Sequence, residues 1–358
     1  MQTSAPQPTL KRAVSLLWFP FFFAGAFSLM GLFAFTHPVP HVIPVQVVGS
    51  ISNVVEVEDK LERLAPNGFD VAPAHSVSDA REALVSNETA AVFVPAEDGG
   101  ELYVASAASS TRAGYLHGVF TRLIDTGGGQ QLTYVDLVPL APGDMSGVGI
   151  MFYGLPLLLV GLISSIVLLQ LGAWSIWKKL AVIAATGAFA DAFAFLSATA
   201  LEVIPVDPWL LLYGFLLTQA IGWLTTAVAM LAKHYFMPIS MTFVLILGIP
   251  SSGATVNGDM LPGLIRWRNA FLPFAQFVDV TRASAYFSSH GLAAPLLLLC
   301  VWAAAGALLL FWASARARFI APAVGGNQRM LEERRPAASG ADALPEKPIS
   351  PTKQRKVI

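Results

Sequence analysis

The sequence predicts a polytopic α-helical membrane protein with six transmembrane helices and an extracytoplasmic α/β domain inserted between helices 1 and 2. Three observations predict it. Of 358 residues, 55% are hydrophobic and only 13% charged, and the mean hydropathy is +0.61, which excludes a disordered chain. Apolar runs recur six times, most of them long enough to cross a hydrocarbon core of about 30 Å. Between the first two runs lies a stretch that reads as alternating strands and amphipathic helices instead.

Residues 1–12 are polar, end in Lys11-Arg12 and are expected in the cytoplasm. Residues 13–35 exceed the roughly 7–15 apolar residues of a signal-peptide core and read as an uncleaved first span. In 36–146, residues 43–48 alternate and are β-branched, and 54–64 have helical spacing with charge on the opposite face. Short strands are expected at 69–71, 90–94, 102–105 and 132–135, with helices from Ser76 to Leu84 and over 110–124. Ser76 followed by Asp79 is a capping signature. Gly127, Gly128 and Gly129 read as a flexible connection. Further spans are expected at 148–174, 180–201, 209–231, 235–250 and 292–312. The fifth is short, about 22 Å at 1.5 Å per residue. Residues 313–358 are polar and rich in Pro, Ala, Lys and Arg, and read as a disordered cytoplasmic tail.

Charge sets the orientation. Residues 36–146 carry fourteen acids against five bases, a net of −9. The tails and loops on the other side of six spans carry fourteen bases against four acids, a net of +10. The positive side is the cytoplasm, so both termini are expected inside a cell (inner or plasma) membrane and the α/β domain outside.

Residues 251–291 break the span pattern. Pro250, Ser251, Ser252 and Gly253 would end a helix, because proline lacks the amide donor and glycine tolerates non-helical dihedrals. The amphipathic remainder contains Pro262 and Pro273 and reads as one or two short helices. We expect the segment to dip toward the membrane and close the external mouth of a path. The hydroxyls of Ser251 and Ser252 would satisfy backbone groups freed at the break. Arg266, Arg268 and Arg282 are expected at the outer face, either snorkelling or touching anionic lipid or substrate headgroups. Arg282 is counted with Asp191, Pro250, Ser251, Ser252, Gly253, Pro262 and Pro273 as a candidate path or gate residue.

This stretch also carries a resemblance. Pro250-Ser251-Ser252-Gly253, then Met260-Leu261-Pro262, then Leu272-Pro273 and Val280-x-Arg282 are similar to the membrane half of the YhgE/Pip (phage infection protein) group of the ABC-2 type transporter permease superfamily. Ala254 and Val256 stand where that group has a second glycine and a proline. The resemblance implies a permease subunit that exports an amphipathic or lipid-like substrate, pairs with a second copy as a homodimer, and works with a separate ATP-binding-cassette ATPase subunit. It also implies that the loop of Trp174, Trp177, Lys178 and Lys179 touches that ATPase; by composition alone, two tryptophans and two lysines suit the membrane interface.

No enzyme chemistry is legible. There is no GxxxxGK[ST] phosphate loop and no GxSxG elbow, so ATP hydrolysis would belong to a partner. The six histidines do not cluster at ligand spacing, a single cysteine excludes an intramolecular disulfide, and no cofactor or nucleic-acid partner is expected. Asp191 is the sharpest single residue. A carboxylate inside a span costs about 2.5–3.5 kcal/mol on insertion scales. It reads equally as a path or proton-coupling group and as a hydrogen-bonded partner of Gln219, Thr225 or Gln170. Gly147, Gly154 and Gly161, and Ala184, Ala188 and Ala192, read as small packing faces. The rivals to a permease are a multi-span surface protein whose external domain binds a partner, and an ion-coupled carrier using Asp191.

Overall fold

Eleven α-helices and five strands lie along the described residues, the strands all between α1 and α5. The structure is a computed structural model that describes residues 10–36, 39–97, 99–125, 131–171 and 174–333. The order is α1 (Leu10–Thr36), β1 (Ile43–Val48), α2 (Ile51–Leu64), β2 (Phe69–Ala74), α3 (Val77–Val85), β3 (Ala91–Ala96), β4 (Gly99–Val104), α4 (Ser110–Ile124) and β5 (Gln131–Asp136). Then follow α5 (Gly149–Gln170), α6 (Ile176–Ala200), α7 (Trp209–Ala232), α8 (Phe236–Met241), α9 (Gly263–Asn269), α10 (Pro273–Tyr286) and α11 (Ala293–Glu333). The chain divides into two compact units, Met1–Ser314 and Ala315–Ile358.

Five helices are long and apolar enough to cross a membrane: Trp18–Thr36 within α1, α5, α6, α7, and Ala293–Ala317 within α11. The expected fifth span is a shorter apolar helix, Phe236–Leu247, whose second half, Thr242–Leu247, widens into a π-helix. A β-carbon on Gly248 would meet the Val244 carbonyl oxygen at 2.2 Å, so the wide turn needs glycine there.

The strands form one mixed sheet, ordered β2-β1-β3-β4-β5. The β1–β2, β1–β3 and β4–β5 pairs are parallel, and β3–β4 is antiparallel. Parallel pairs need crossover helices, and α2, α3 and α4 supply them. Alternation along the strands divides the side chains between two faces. Ile43, Val45, Val47, Ala91, Phe93, Leu102 and Val104 face one core with α2 and α4, while Val92, Tyr103 and Ala105 face a second core with α3. Ser50, Ser76 and Ser109 cap the three helices through their hydroxyls. β2, β4 and β5 run longer than their short apolar stretches suggest, because ladder pairing carries Gly99, Gly100 and Asp136 into the sheet. The expected connection at Gly127–Gly129 lies outside the described residues.

Neither core is closed by the domain alone. Val256, Met260, Leu261 and Ile265 complete the first, and Phe287 is buried in the second. The backbone confirms the junction: the Val39 amide donates to the Met260 carbonyl at 2.9 Å and the His41 amide to the Asp259 carbonyl at 3.0 Å. Arg112, itself buried, pairs with Asp259 at 2.7 Å, and the Thr111 hydroxyl donates to the Thr255 carbonyl at 3.0 Å.

Two expectations are corrected, one of packing and one of order. The small-residue face of α6 was placed one position off. Ala188 and Ala192 are exposed and Ala184 is half-buried, whereas Ile183, Gly187, Asp191 and Phe195 form the buried stripe. Glycines rather than alanines allow the close approaches: a β-carbon at Gly154 would meet Phe277 at 2.3 Å, and one at Gly161 would meet Ile221 at 3.0 Å. The tail expected to be disordered from 313 is helical through Glu333; it continues an existing helix and so needs no new nucleus, despite the low-propensity Pro322, Gly325 and Gly326 inside it. Residues 334–358 lie outside the described set.

Arg112→Ala should destabilise the protein by about 3 kcal/mol, because it leaves the Asp259 carboxylate without its cation. Arg112→Met with Asp259→Met should cost less than the single alanine change. Thermal unfolding of the purified protein in mild detergent checks both; equal losses would mean that the ion pair contributes nothing specific.

Candidate functional site

The broken stretch after the π-helix is a tightly satisfied knot. Ser251 and Ser252 are buried, and their hydroxyls donate to the Leu247 and Ile249 carbonyls, as expected for backbone freed at a helix break. Gly253 sits at φ +73, where a side chain would be strained. The Asn269 amide donates to the Ser251 carbonyl at 3.0 Å and Arg282 donates to the Gly253 carbonyl at 3.0 Å. Arg282 is therefore a buried backbone clamp and not a snorkelling surface residue, contrary to the sequence expectation. Its Nε and the Asp259 Oδ1 are buried without a hydrogen-bond partner.

Pro262 and Pro273 do not interrupt helices. Pro262 is the N-cap of α9 and Pro273 is the first residue of α10, where a missing amide costs nothing. The two helices are joined by a short turn into a hairpin, of which α10 packs against α5 and α7. At its turn the Phe271 carbonyl accepts from the Trp302 indole, nine residues into α11, or about 13 Å along that helix. From there α10 runs back beside α5 and α7 to bury Phe287 under the sheet. Asp207 accepts from the Trp209 amide at 3.0 Å and from the Ser284 hydroxyl, tying α10 to the start of α7.

Asp191 is buried, with 2% exposure. Its partner is none of the three expected. Tyr153 of α5 donates to its Oδ1 at 2.8 Å and also lies 2.9 Å from the Leu210 carbonyl. The single phenolic hydrogen is shared between, or alternates over, these two acceptors. Gly214 makes room for the carboxylate: a β-carbon there would lie 2.0 Å from Oδ1. Gln219 points elsewhere, and both its amide atoms are buried without partners. Tyr153 also packs on Phe277 of α10 at 5.6 Å between ring centres. Asp191 is thus linked to the hairpin through one tyrosine but not placed beside Pro250–Gly253 or Arg282. Nothing in sequence spacing marked Tyr153, which stands 38 residues from Asp191.

An apolar groove of about 900 Å³ runs between α5 and α6, lined by residues from Gly149 and Val203 at one end to Val167 and Val182 at the other. Its few polar groups include Tyr153 and the Ser164–Thr186 hydroxyl pair, 3.3 Å apart. The expected loop divides: Trp174 precedes α6 and is 39% exposed, Trp177 and Lys178 lie exposed in the first turn of α6, and Lys179 beside them is only 5% exposed. Lys179 turns into the helix bundle and is withdrawn from any partner surface, which corrects its assignment.

No family model, curated protein or solved structure matches this chain.

Asp191→Asn should stay within about 1 kcal/mol of the native stability, since the amide keeps an acceptor for Tyr153. Tyr153→Phe should cost about 1–3 kcal/mol by leaving buried acceptors unpaired. Gly214→Ala should cost about 1–3 kcal/mol through overpacking against the carboxylate. Detergent-solubilised thermal melts rank the three; a neutral Gly214→Ala would contradict the packing described.

Proposed function

We propose that this chain is a permease subunit of the ABC-2 type, of the YhgE/Pip kind, that moves an amphipathic or lipid-like substrate across the cell membrane. Six spans place both termini in the cytoplasm, with Phe236–Leu247 as the short fifth and the sheet domain outside, in accord with the −9 and +10 charge split. The observation that carries the reading is the α5–α6 groove. It is long and apolar, with polar groups confined to a few positions along its length. An acyl chain fits such a surface, and a headgroup needs the sparse polar sites. The α9–α10 hairpin closes the path beneath the external domain and couples that domain to the spans. Power comes from a separate ATPase subunit met by Trp174, Trp177 and Lys178, and two copies of the chain pair to enclose the path. Asp191 serves as a buried polar support of the path wall through Tyr153.

The test is purification from native membranes in mild detergent. An ATP-hydrolysing subunit should co-purify, and its hydrolysis should rise with added phospholipid. Ala194→Trp, which fills the groove wall, should leave co-purification intact and weaken the response to lipid by about ten-fold, equivalent to ~1.4 kcal/mol of lost binding. Absence of any ATPase, together with an Ala194→Trp variant that leaves the cellular phenotype unchanged, would overturn the proposal.

A further inference from the structure

A second cavity lies at the opposite end of the bundle from the sheet domain. It measures about 240 Å³ and is lined by Ser165, Leu168, Lys179, Thr226 and Met230, among others. That is many times the ~10–15 Å³ that a single water requires. Lys179 is its one charged wall. The residue as a whole is 5% exposed, its ammonium keeps contact with the open cavity, and among the described residues no carboxylate pairs with it. Partly desolvating an ammonium without a counter-charge is unfavourable. The nearest polar groups do not supply that charge. The Ser165 and Thr226 hydroxyls donate to the Leu162 and Gly222 carbonyls, each at 2.6 Å. They have lone pairs to offer but no negative charge.

The surroundings favour an anion from outside the chain. Lys179 is the fourth residue of α6, whose N-cap Ser175 makes no side-chain capping bond. The first-turn amides and the positive end of that helix therefore add to the lysine's field. Lys178 next to it is exposed, and Trp177 is 69% exposed, the pairing found at headgroup depth.

We propose that the Lys179 cavity binds a phosphate-type anion, which compensates the unpaired ammonium and ties together the ends of α5, α6 and α7. The inference stands apart from the transport reading, since it concerns only the cavity and its cation. Two sources share this chemistry: the headgroup of an anionic phospholipid and a free phosphate.

Full-length protein in dodecyl maltoside, which contains no phosphate, would be titrated at constant ionic strength with dioctanoyl-phosphatidylglycerol or with sodium phosphate. Two readouts are followed, the thermal midpoint and amine-reactive labelling of Lys179 by mass spectrometry. One arm should raise the midpoint and slow Lys179 labelling about ten-fold, equivalent to ~1.4 kcal/mol, while Lys178 labelling stays within about two-fold. Protection by the lipid alone assigns a headgroup, and protection by sodium phosphate assigns a soluble anion. Lys179→Arg should keep the midpoint shift and Lys179→Met should lose it. Failure of both arms to protect Lys179, or a Lys179→Met variant that shifts as far as the native protein, would overturn the proposal. If Lys179→Met does not fold, labelling of the native protein decides alone.

Discussion

The joint between the sheet domain and the segment after the π-helix is the constraint on which the rest of the molecule depends. Val256, Met260, Leu261 and Ile265 are buried among the side chains of β1, β3, β4, α2 and α4, and Phe287 enters the opposite face of the same sheet. An α/β layer needs both faces covered. Here the far segment of the chain does part of the covering, so the domain is tied to the helices by its own cores. The Arg112–Asp259 pair and the backbone bonds from Val39 and His41 then fix the register of that joint.

The same joint explains how irregular backbone survives between long apolar helices. Non-helical backbone beside a bilayer must be satisfied by protein or water. Ser251, Ser252, Asn269 and Arg282 supply the partners from three different elements. Gly154 on α5 then lets Phe277 of α10 approach closely, which brings the hairpin against Tyr153 and hence against Asp191. A movement of the sheet domain would be felt at Phe277 and at the start of α7 through Ser284 and Asp207, because packed side chains transmit strain.

Much of this is legible in the sequence alone. Residue period and cap chemistry located the strands and the three domain helices, since both depend on neighbours in sequence; Ser76 and Asp79 show this directly. The break at Pro250–Gly253 was legible for the same reason. What failed was long-range. Arg282 looked like a surface arginine because its acceptor, the Gly253 carbonyl, lies 29 residues away. Asp191 announced its need for a partner, but choosing Tyr153 over Gln219 requires the rotation of α6, which a one-residue error in the buried stripe already misplaces. Lys179 resembled its neighbour Lys178 in sequence, and a helix turn of about 100° per residue sends one out and the other in. The groove has no local signature, because two helices build it jointly.

The central claim is that the sheet domain and the Gly253–Leu261 segment open and close as one unit. Hydrogen exchange of the protein in nanodiscs, comparing the native chain with Met260→Ala, tests it most directly. Met260 is fully buried, and the truncation should cost about 2–5 kcal/mol. The account predicts that amides of 253–261, β1 and α4 lose protection together, with a common opening free energy. Faster exchange confined to 253–261, with β1 and α4 unchanged, would contradict it.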